Sequence, residues 1–444
     1  MKRDLTSGNA LKNLIAFSVP FFLSCLLQTL YGMVDLFIIG KYGTAVDTCA
    51  VSIGSQFMHM ITVILVGFSM GGSVLIGNCV GAKNEREKNK AIGNFFTISV
   101  IIAFVVSIAL FLLLSGILYI IKTPAQALDR TRIYLLVCFA GVPFITLYNT
   151  TSGLFRGIGD SKTPLIFVAI SAFINMVLDV IFIKYCSLGT LGAALGTVIA
   201  QGVSVVISSI FIVKKSIISG ICKGDFKPRG YICGNILKIG IPIALQDGFI
   251  QVSFMVITAF ANMRGVTDSA AVGVVEKVIG ILFLVPSAML SSVSAIVAQN
   301  MGAHKIDKAK KTMLYGIVIV IVWGVAAATV FQFIAGGCLS LFSKDSGVIM
   351  AGTGYLSAYV WDCIFAGIHF VFSGYFCGIS KSGISFLHNS LSVILARIPI
   401  AYYASVAYKD TLFPMGLAAP IGSVLSIIIC VVAYIVLNKR DKTA

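Results

Sequence analysis

The sequence predicts an all-α polytopic membrane protein, with twelve transmembrane helices in two six-helix lobes related by pseudo-two-fold symmetry. Three observations carry this expectation. Hydrophobic residues fill 58% of the 444 positions and charged residues only 11%, whereas soluble domains average roughly 45–50% and about 25%. The apolar residues form unbroken runs long enough for helices that cross about 30 Å of hydrocarbon. Local motifs also recur at a separation close to 221 residues. Such a composition excludes a soluble enzyme and a disordered chain. The runs do not alternate in ten-residue segments, which excludes an outer-membrane barrel.

A window of about 19 residues places the spans at 14–39, 49–78, 91–120, 132–154, 164–184, 190–213, 235–262, 269–299, 312–336, 348–376, 384–407 and 413–437. Charged loops separate them. Lys41 and Lys184 mark the outer ends of spans 1 and 5, and Lys83, Arg86, Lys88 and Lys90 follow span 2. Lys214, Lys215, Lys223, Lys227 and Arg229 follow span 6, Lys305, Lys308, Lys310 and Lys311 follow span 8, and Lys439, Arg440 and Lys442 come last. The side that holds both termini collects 23 of the 33 basic residues and the opposite side 8, with Lys277 and Arg397 inside spans. The positive-inside rule then puts both termini in the cytoplasm of a cell-membrane protein. It also accounts for the net charge of +16 without a nucleic-acid partner.

The acids sort in the same way. Asp47, Asp129, Asp268, Asp345 and Asp410 are expected in external loops, and Asp35, Asp179, Asp247, Glu276 and Asp362 inside spans, which carry a net −3. The 11 cysteines are scattered, with no C-x-x-C pair, so neither a disulfide framework nor a metal site is expected. No removable signal peptide is expected at Met1-Lys-Arg-Asp, since it runs into a full span without a small-residue cleavage site.

The repeat pairs Val19-Pro20 with Ile241-Pro242, Asp47-x-x-Ala-Val with Asp268-x-x-Ala-Val, Gly81-Ala82 with Gly302-Ala303, and Gly157-Ile158 with Gly378-Ile379. It divides the chain into an N-lobe (1–213), a basic linker (214–234) and a C-lobe (235–444). A path between two such halves is where transporters place substrates. The charges do not repeat. Asp35 aligns with Ile257 and Asp179 falls near Ile398 to Ile400, so an acidic pair is present in the first half alone.

Depth places that pair together. Asp35 lies six residues before Lys41 and Asp179 five before Lys184, which is about 9 Å and about 7–8 Å below the outer ends of their helices. Thr197 is eight residues into span 6, about 12 Å down. Asn175 precedes Asp179 by four residues, and Gln28 and Tyr31 precede Asp35 by seven and four, all on matching faces. A carboxylate in a span costs roughly 2.5–3.5 kcal/mol unless it pairs, protonates or faces water. The plain alternative is that each Asp meets interfacial water near a helix end. No basic residue lies near this stratum, so Asp35, Asn175, Asp179 and Thr197 form a candidate site for exchanging a proton or Na+. Gln28 and Tyr31 are its polar support.

Asp362, Glu276, Lys277 and Asp247 are weaker candidates to line a cavity. Asp247 is expected near cytoplasmic water. His369 reads as an interhelical polar residue, and Arg397 snorkels or pairs with an acid. Gly157-Ile-Gly-Asp-Ser-Lys-Thr163 lacks the glycine before lysine that a phosphate loop requires, and no strand precedes it. ATP is therefore not expected as the energy source, nor is any cofactor other than the coupling ion.

The chain resembles the MATE (multidrug and toxic compound extrusion) transporters, bacterial type, over essentially its whole length. The resemblance rests on Pro20…Gln28…Asp35, Gly81-Ala82, Arg156-Gly-Ile-Gly-Asp-Ser-Lys-Thr-Pro164, Asn175-x-x-x-Asp179 and Leu191-Gly-Ala-Ala-Leu-Gly-Thr197. It implies a secondary-active antiporter, not an enzyme, that exports small amphipathic, mainly cationic compounds in exchange for H+ or Na+. It also implies that Asp35 and Asp179 carry the ion. Asp247 and Asp362 do not align with the C-lobe acids that some members have. The alternative is a lipid-linked saccharide flippase of the same superfamily; those tend to have extra spans and a cationic cavity. A membrane-embedded transferase or protease would need catalytic residues that the loops lack. Membrane lipid is an expected partner and a monomer the expected state.

Overall fold

The computed structural model describes residues 4–215, 217 and 220–443, the last four without side chains. Met1-Lys-Arg, the linker positions Ser216, Ile218 and Ser219, and the side chains of Arg440, Asp441 and Lys442 lie outside the described residues. Among those described, all regular structure is helical. Eleven helices are single spans: α1 Ala10–Tyr42, α2 Ala45–Gly81, α3 Glu85–Ile120, α4 Ala125–Gly157, α5 Lys162–Tyr185, α6 Gly189–Lys214, α7 Gly230–Arg264, α8 Val266–Gly302, α9 Ile306–Ser340, α11 Ser382–Ala407 and α12 Phe413–Lys439. The twelfth, α10, is a pair, Ser346–Tyr359 and Asp362–Gly378, bent by 43°.

That bend corrects the expectation of one straight span over 348–376. At the break the amides of Cys363 and Ile364 bond to carbonyls three residues back, on Val360 and Trp361, so the regular four-residue ladder is interrupted. Asp362 then opens the second piece, where a carboxylate suits the positive end of a helix. Asp362 is thus at a helix start, not in mid-helix. Asp47 and Asp268 are also corrected, because the helices begin earlier than hydropathy alone suggests. Both lie in the first turns of α2 and α8 and not in loops.

The repeat is visible in the backbone. After α2, Ala82, Lys83 and Asn84 donate to the carbonyls of Asn78, Val80 and Cys79; after α8, Ala303, His304 and Lys305 donate to those of Gln299, Met301 and Asn300. Ile158, Gly159 and Asp160 after α4 match Ile379, Ser380 and Lys381 after α10 in the same way. These are Schellman caps, and each uses a left-handed residue: Lys83 and His304 (φ 55° and 57°), Gly159 and Ser380 (87° and 61°). One device closes these four span ends, and Ile121, Lys122 and Thr123 repeat it after α3.

Packing divides the chain into two compact units, one containing Val19–Ala244, the other Leu5–Ser18 with Leu245–Ala444. The divisions fall inside α1 and α7, so the first turns of α7 pack within the first unit. A Cβ on Gly240 would meet the Phe68 carbonyl at 2.7 Å, a close helix approach that only glycine permits. The linker turn Lys223–Phe226 is held on α3 in the same unit. Asn94 Nδ2 donates to the Asp225 carbonyl at 2.9 Å, Thr97 Oγ1 to that of Phe226 at 2.8 Å, and the Arg229 amide donates to Asn94 Oδ1 at 2.7 Å. In the second unit, Lys305 Nζ donates to the Thr6 carbonyl at 2.7 Å and Asn300 Nδ2 to that of Leu5 at 3.3 Å.

Each unit also carries a staple built on the repeated acid. In the first, buried Asp47 accepts from Thr44 Oγ1 at 2.7 Å, Thr190 Oγ1 at 2.6 Å and Arg130 Nη1 at 3.2 Å, joining the starts of α2, α4 and α6. In the second, Asp268 Oδ2 holds Arg264 Nε at 2.6 Å. The guanidinium donates onward to the carbonyls of Ser405, Tyr408, Lys409 and Thr411, fixing the segment between α11 and α12. Arg264→Gln should strip these charge-assisted bonds and destabilise the second unit by roughly 2–3 kcal/mol. Lys409→Gln, which alters only an exposed side chain, should be neutral. Thermal unfolding and limited proteolysis at 405–412 would compare them, and equal behaviour would contradict the staple.

Candidate functional site

α1 and α5 bring the two N-lobe acids together within the first unit. Asp179 is fully buried and Asp35 half-buried, and the two carboxyl groups are electrostatic neighbours. Asp179 stands immediately before a π-helical turn, Val180–Tyr185. Such widened turns recur at functional sites because they redirect a side chain without ending the helix. Asn175 Nδ2 donates to Asp179 Oδ1 at 3.4 Å. No N–H or O–H of the described protein reaches Asp35 Oδ1, Asp179 Oδ2 or Asn175 Oδ1, although all three are buried. No lysine or arginine forms an ion pair with either acid among the described residues. Lys184, the nearest cation in sequence, turns instead onto the rings of Tyr42 and Tyr185, 5.3 and 5.0 Å from their centroids.

The other predicted residues divide. Tyr31 has Asp35 and the Gln201 side chain of α6 as polar neighbours, and Gln28 has Tyr148 of α4, so both lie in the polar surroundings of the acids. Thr197 donates its hydroxyl to the Ala193 carbonyl of its own helix at 3.1 Å, and no described hydrogen bond joins it to either acid. The residue of α6 that approaches Asp179 is its neighbour Gly196, where any Cβ would collide with Oδ1. Sequence reasoning missed Gly196, Gln201, Tyr148 and Tyr134, the last a buried electrostatic neighbour of both acids. Gln201 follows Thr197 by four residues, a same-face spacing that offered a signal. The tyrosines offered none, because buried aromatics are ordinary in apolar helices.

The second unit holds a different arrangement. Arg397 Nη2 donates to the Tyr359 hydroxyl, and its guanidinium lies 4.6 Å from the Phe254 ring centroid. Glu276 and Asp362 are its electrostatic neighbours, and Thr258 Oγ1 donates to Glu276 Oε1 at 2.8 Å. These acids therefore have a half-buried cation near them, unlike the first pair. Lys277 is exposed and Asp247 is half-buried beside Gln246. His369 Nε2 lies 3.4 Å from Ser423 Oγ, and buried His388 is bracketed by Ser373 at 2.9 Å and Ser426 at 2.8 Å. Among the described residues no cluster of three or more His, Cys, Asp or Glu could hold a metal ion. A site of two carboxyls and an amide oxygen suits a proton or a hard monovalent cation.

Comparison with known proteins agrees with this architecture. Proteins similar to the chain include the "Multidrug export protein MepA" of Staphylococcus saprophyticus, 27% identical over 83% of this chain and 81% of that one. Another is the "Probable multidrug resistance protein YpnP" of Bacillus subtilis (strain 168), 26% identical over 84% and 83%. A crystal structure of MATE in complex with MaL6 superimposes with a TM-score of 0.91 over 99% of both chains at 20% identity, which shows that the fold is shared. The model of the MatE family matches twice, over residues 20–181 and 242–403, the same offset that relates the two halves of the sequence. The chain is a multi-pass membrane protein that belongs to the MatE family.

Proposed function

We propose that the protein is a secondary-active multidrug efflux antiporter whose coupling ion is carried by Asp35 and Asp179 with Asn175. The observation that supports this best is the set of three buried oxygens, Asp35 Oδ1, Asp179 Oδ2 and Asn175 Oδ1, that no donor of the described protein reaches. Two ionised carboxylates side by side in an apolar bundle repel strongly, and no buried cation offsets them. Entry of a proton or Na+ removes that repulsion and its departure restores it, so the pair's charge state is linked to ion binding. We favour the proton, because a single proton shared by two neighbouring carboxyls would relieve their repulsion. The net −3 of the spans supports amphipathic, mainly cationic cargo, as does the naming of the relatives as multidrug export proteins. The basic loops on the side that holds both termini support a cytoplasmic location for them.

Asp35→Asn or Asp179→Asn should abolish gradient-driven efflux in proteoliposomes while the protein stays folded and inserted, because an amide is cheaper to bury than a carboxylate. Asp247→Asn should be milder. Full coupled transport by both N-lobe variants would remove this site from consideration.

Transport measured with pH and Na+ gradients imposed independently should follow the pH gradient. Export driven by Na+ alone would assign the pair to Na+ instead, and drive by neither would refute the antiport reading.

Position 223, as the single cysteine of an otherwise Cys-free variant, should label with membrane-impermeant reagents only in broken cells. Labelling from outside intact cells would invert the proposed topology.

A further inference from the structure

We propose that the second unit binds the headgroup of an anionic phospholipid in a basic cavity at the start of α9. The cavity is about 780 Å³, and its lining includes His304, Lys305, Lys308, Lys310, Lys311 and Tyr315, with Asp307 the only acid among the lining residues. It is bounded by the first residues of α1 and the last of α12 as well as by α9, so it sits where three spans meet the membrane boundary. Lys305 is engaged with the Thr6 carbonyl. Lys310 and Lys311 have no acidic partner among the described ion pairs, so their charge is available to a bound anion.

The repeat shows that the glutamates which pair with such lysines are particular to the first unit. At an offset of 221, Glu85 and Glu87 of the first unit become Ile306 and Lys308. In the first unit Glu85 pairs with Lys88, Glu87 pairs with Lys90 at 2.5 Å, and Tyr231 donates to Glu87. Two of the four cations of that copy are thus paired from within, and the linker turn packs on α3. The second copy has neither glutamate, and Lys305, Lys308, Lys310 and Lys311 line its cavity.

The occupant follows from what adjoins it. Leu314, Val318, Val322 and Val325 run along α9 from the cavity at helical spacing, and all four are exposed. A phosphate held by the lysines would place acyl chains along that apolar stripe, which a soluble phosphate cannot use. Basic clusters just outside a span attract anionic headgroups, and a ligand that binds only the folded protein raises its stability.

The test is thermal unfolding of the full chain in nanodiscs. Discs of phosphatidylcholine alone are compared with discs that also contain phosphatidylglycerol, and with phosphatidylcholine discs supplied with inorganic phosphate. Phosphatidylglycerol should raise the Tm and inorganic phosphate should not. The double variant Lys310→Gln with Lys311→Gln should lose most of that rise, Lys310→Arg with Lys311→Arg should keep it, and Lys214→Gln with Lys215→Gln should also keep it. The assignment is overturned if phosphatidylglycerol has no effect or if the α9 glutamine variant retains the full rise. It is equally overturned if inorganic phosphate reproduces the rise, or if the Lys214/Lys215 variant loses as much.

Discussion

Hydrogen-bonding atoms inside an apolar span have no water to turn to, so each must find a partner within the chain or remain without one at a cost. The helices satisfy this for the backbone, and the four matched Schellman caps extend it to the carbonyls at the span ends. Many side-chain atoms obey the same constraint, while others, including both carboxyl oxygens of Asp362, have no hydrogen-bond partner among the described residues. Serines and threonines in the spans donate to the carbonyl one turn back, as Thr146 does to Val142 and Thr150 to Thr146. Asp47 and Asp268, which belong to the first turns of long helices, are satisfied by hydroxyls or a guanidinium. Against that background Asp35 and Asp179 stand out, because among the described residues no lysine or arginine pairs with either of them.

The two units answer the same cost in opposite ways. In the second, Arg397 is placed near both Glu276 and Asp362, and an aromatic ring and a tyrosine hydroxyl hold the guanidinium. In the first, glycine at position 196 lets α6 close on Asp179, and Asn175 supplies a single donor, but no cation is provided. A transporter that exchanges an ion for cargo needs a charge that the protein leaves uncompensated, since a charge already paired has no reason to bind and release a partner. The duplicated chain thus keeps one scaffold and gives its halves different electrostatic tasks.

The basic loop after the second span of each unit has diverged in the same spirit. Glutamates pair with two of the cations of the first copy and the linker packs against α3 there. The second copy, without those glutamates, borders a cavity next to an exposed apolar stripe. The backbone is common to both, as the shared left-handed turns at Lys83 and His304 show.

Much of this was legible in the sequence because membranes impose simple rules on it. Span number, the duplication and the charge asymmetry of the loops follow from run length and offset, which need no contacts to read. Depth along a helix is also linear in residue number, so Asp35 and Asp179 could be assigned to one stratum before any helix was packed. What linear spacing cannot give is which face of a helix meets which neighbour. The break before Asp362, the π-helical turn after Asp179, the burial of Asp47 under Thr190 and Arg130, and the approach of Gly196 in place of Thr197 were decided by packing. Asp47 meets Arg130 and Thr190 from 83 and 143 residues away, and only the folded chain brings such groups within a few ångströms.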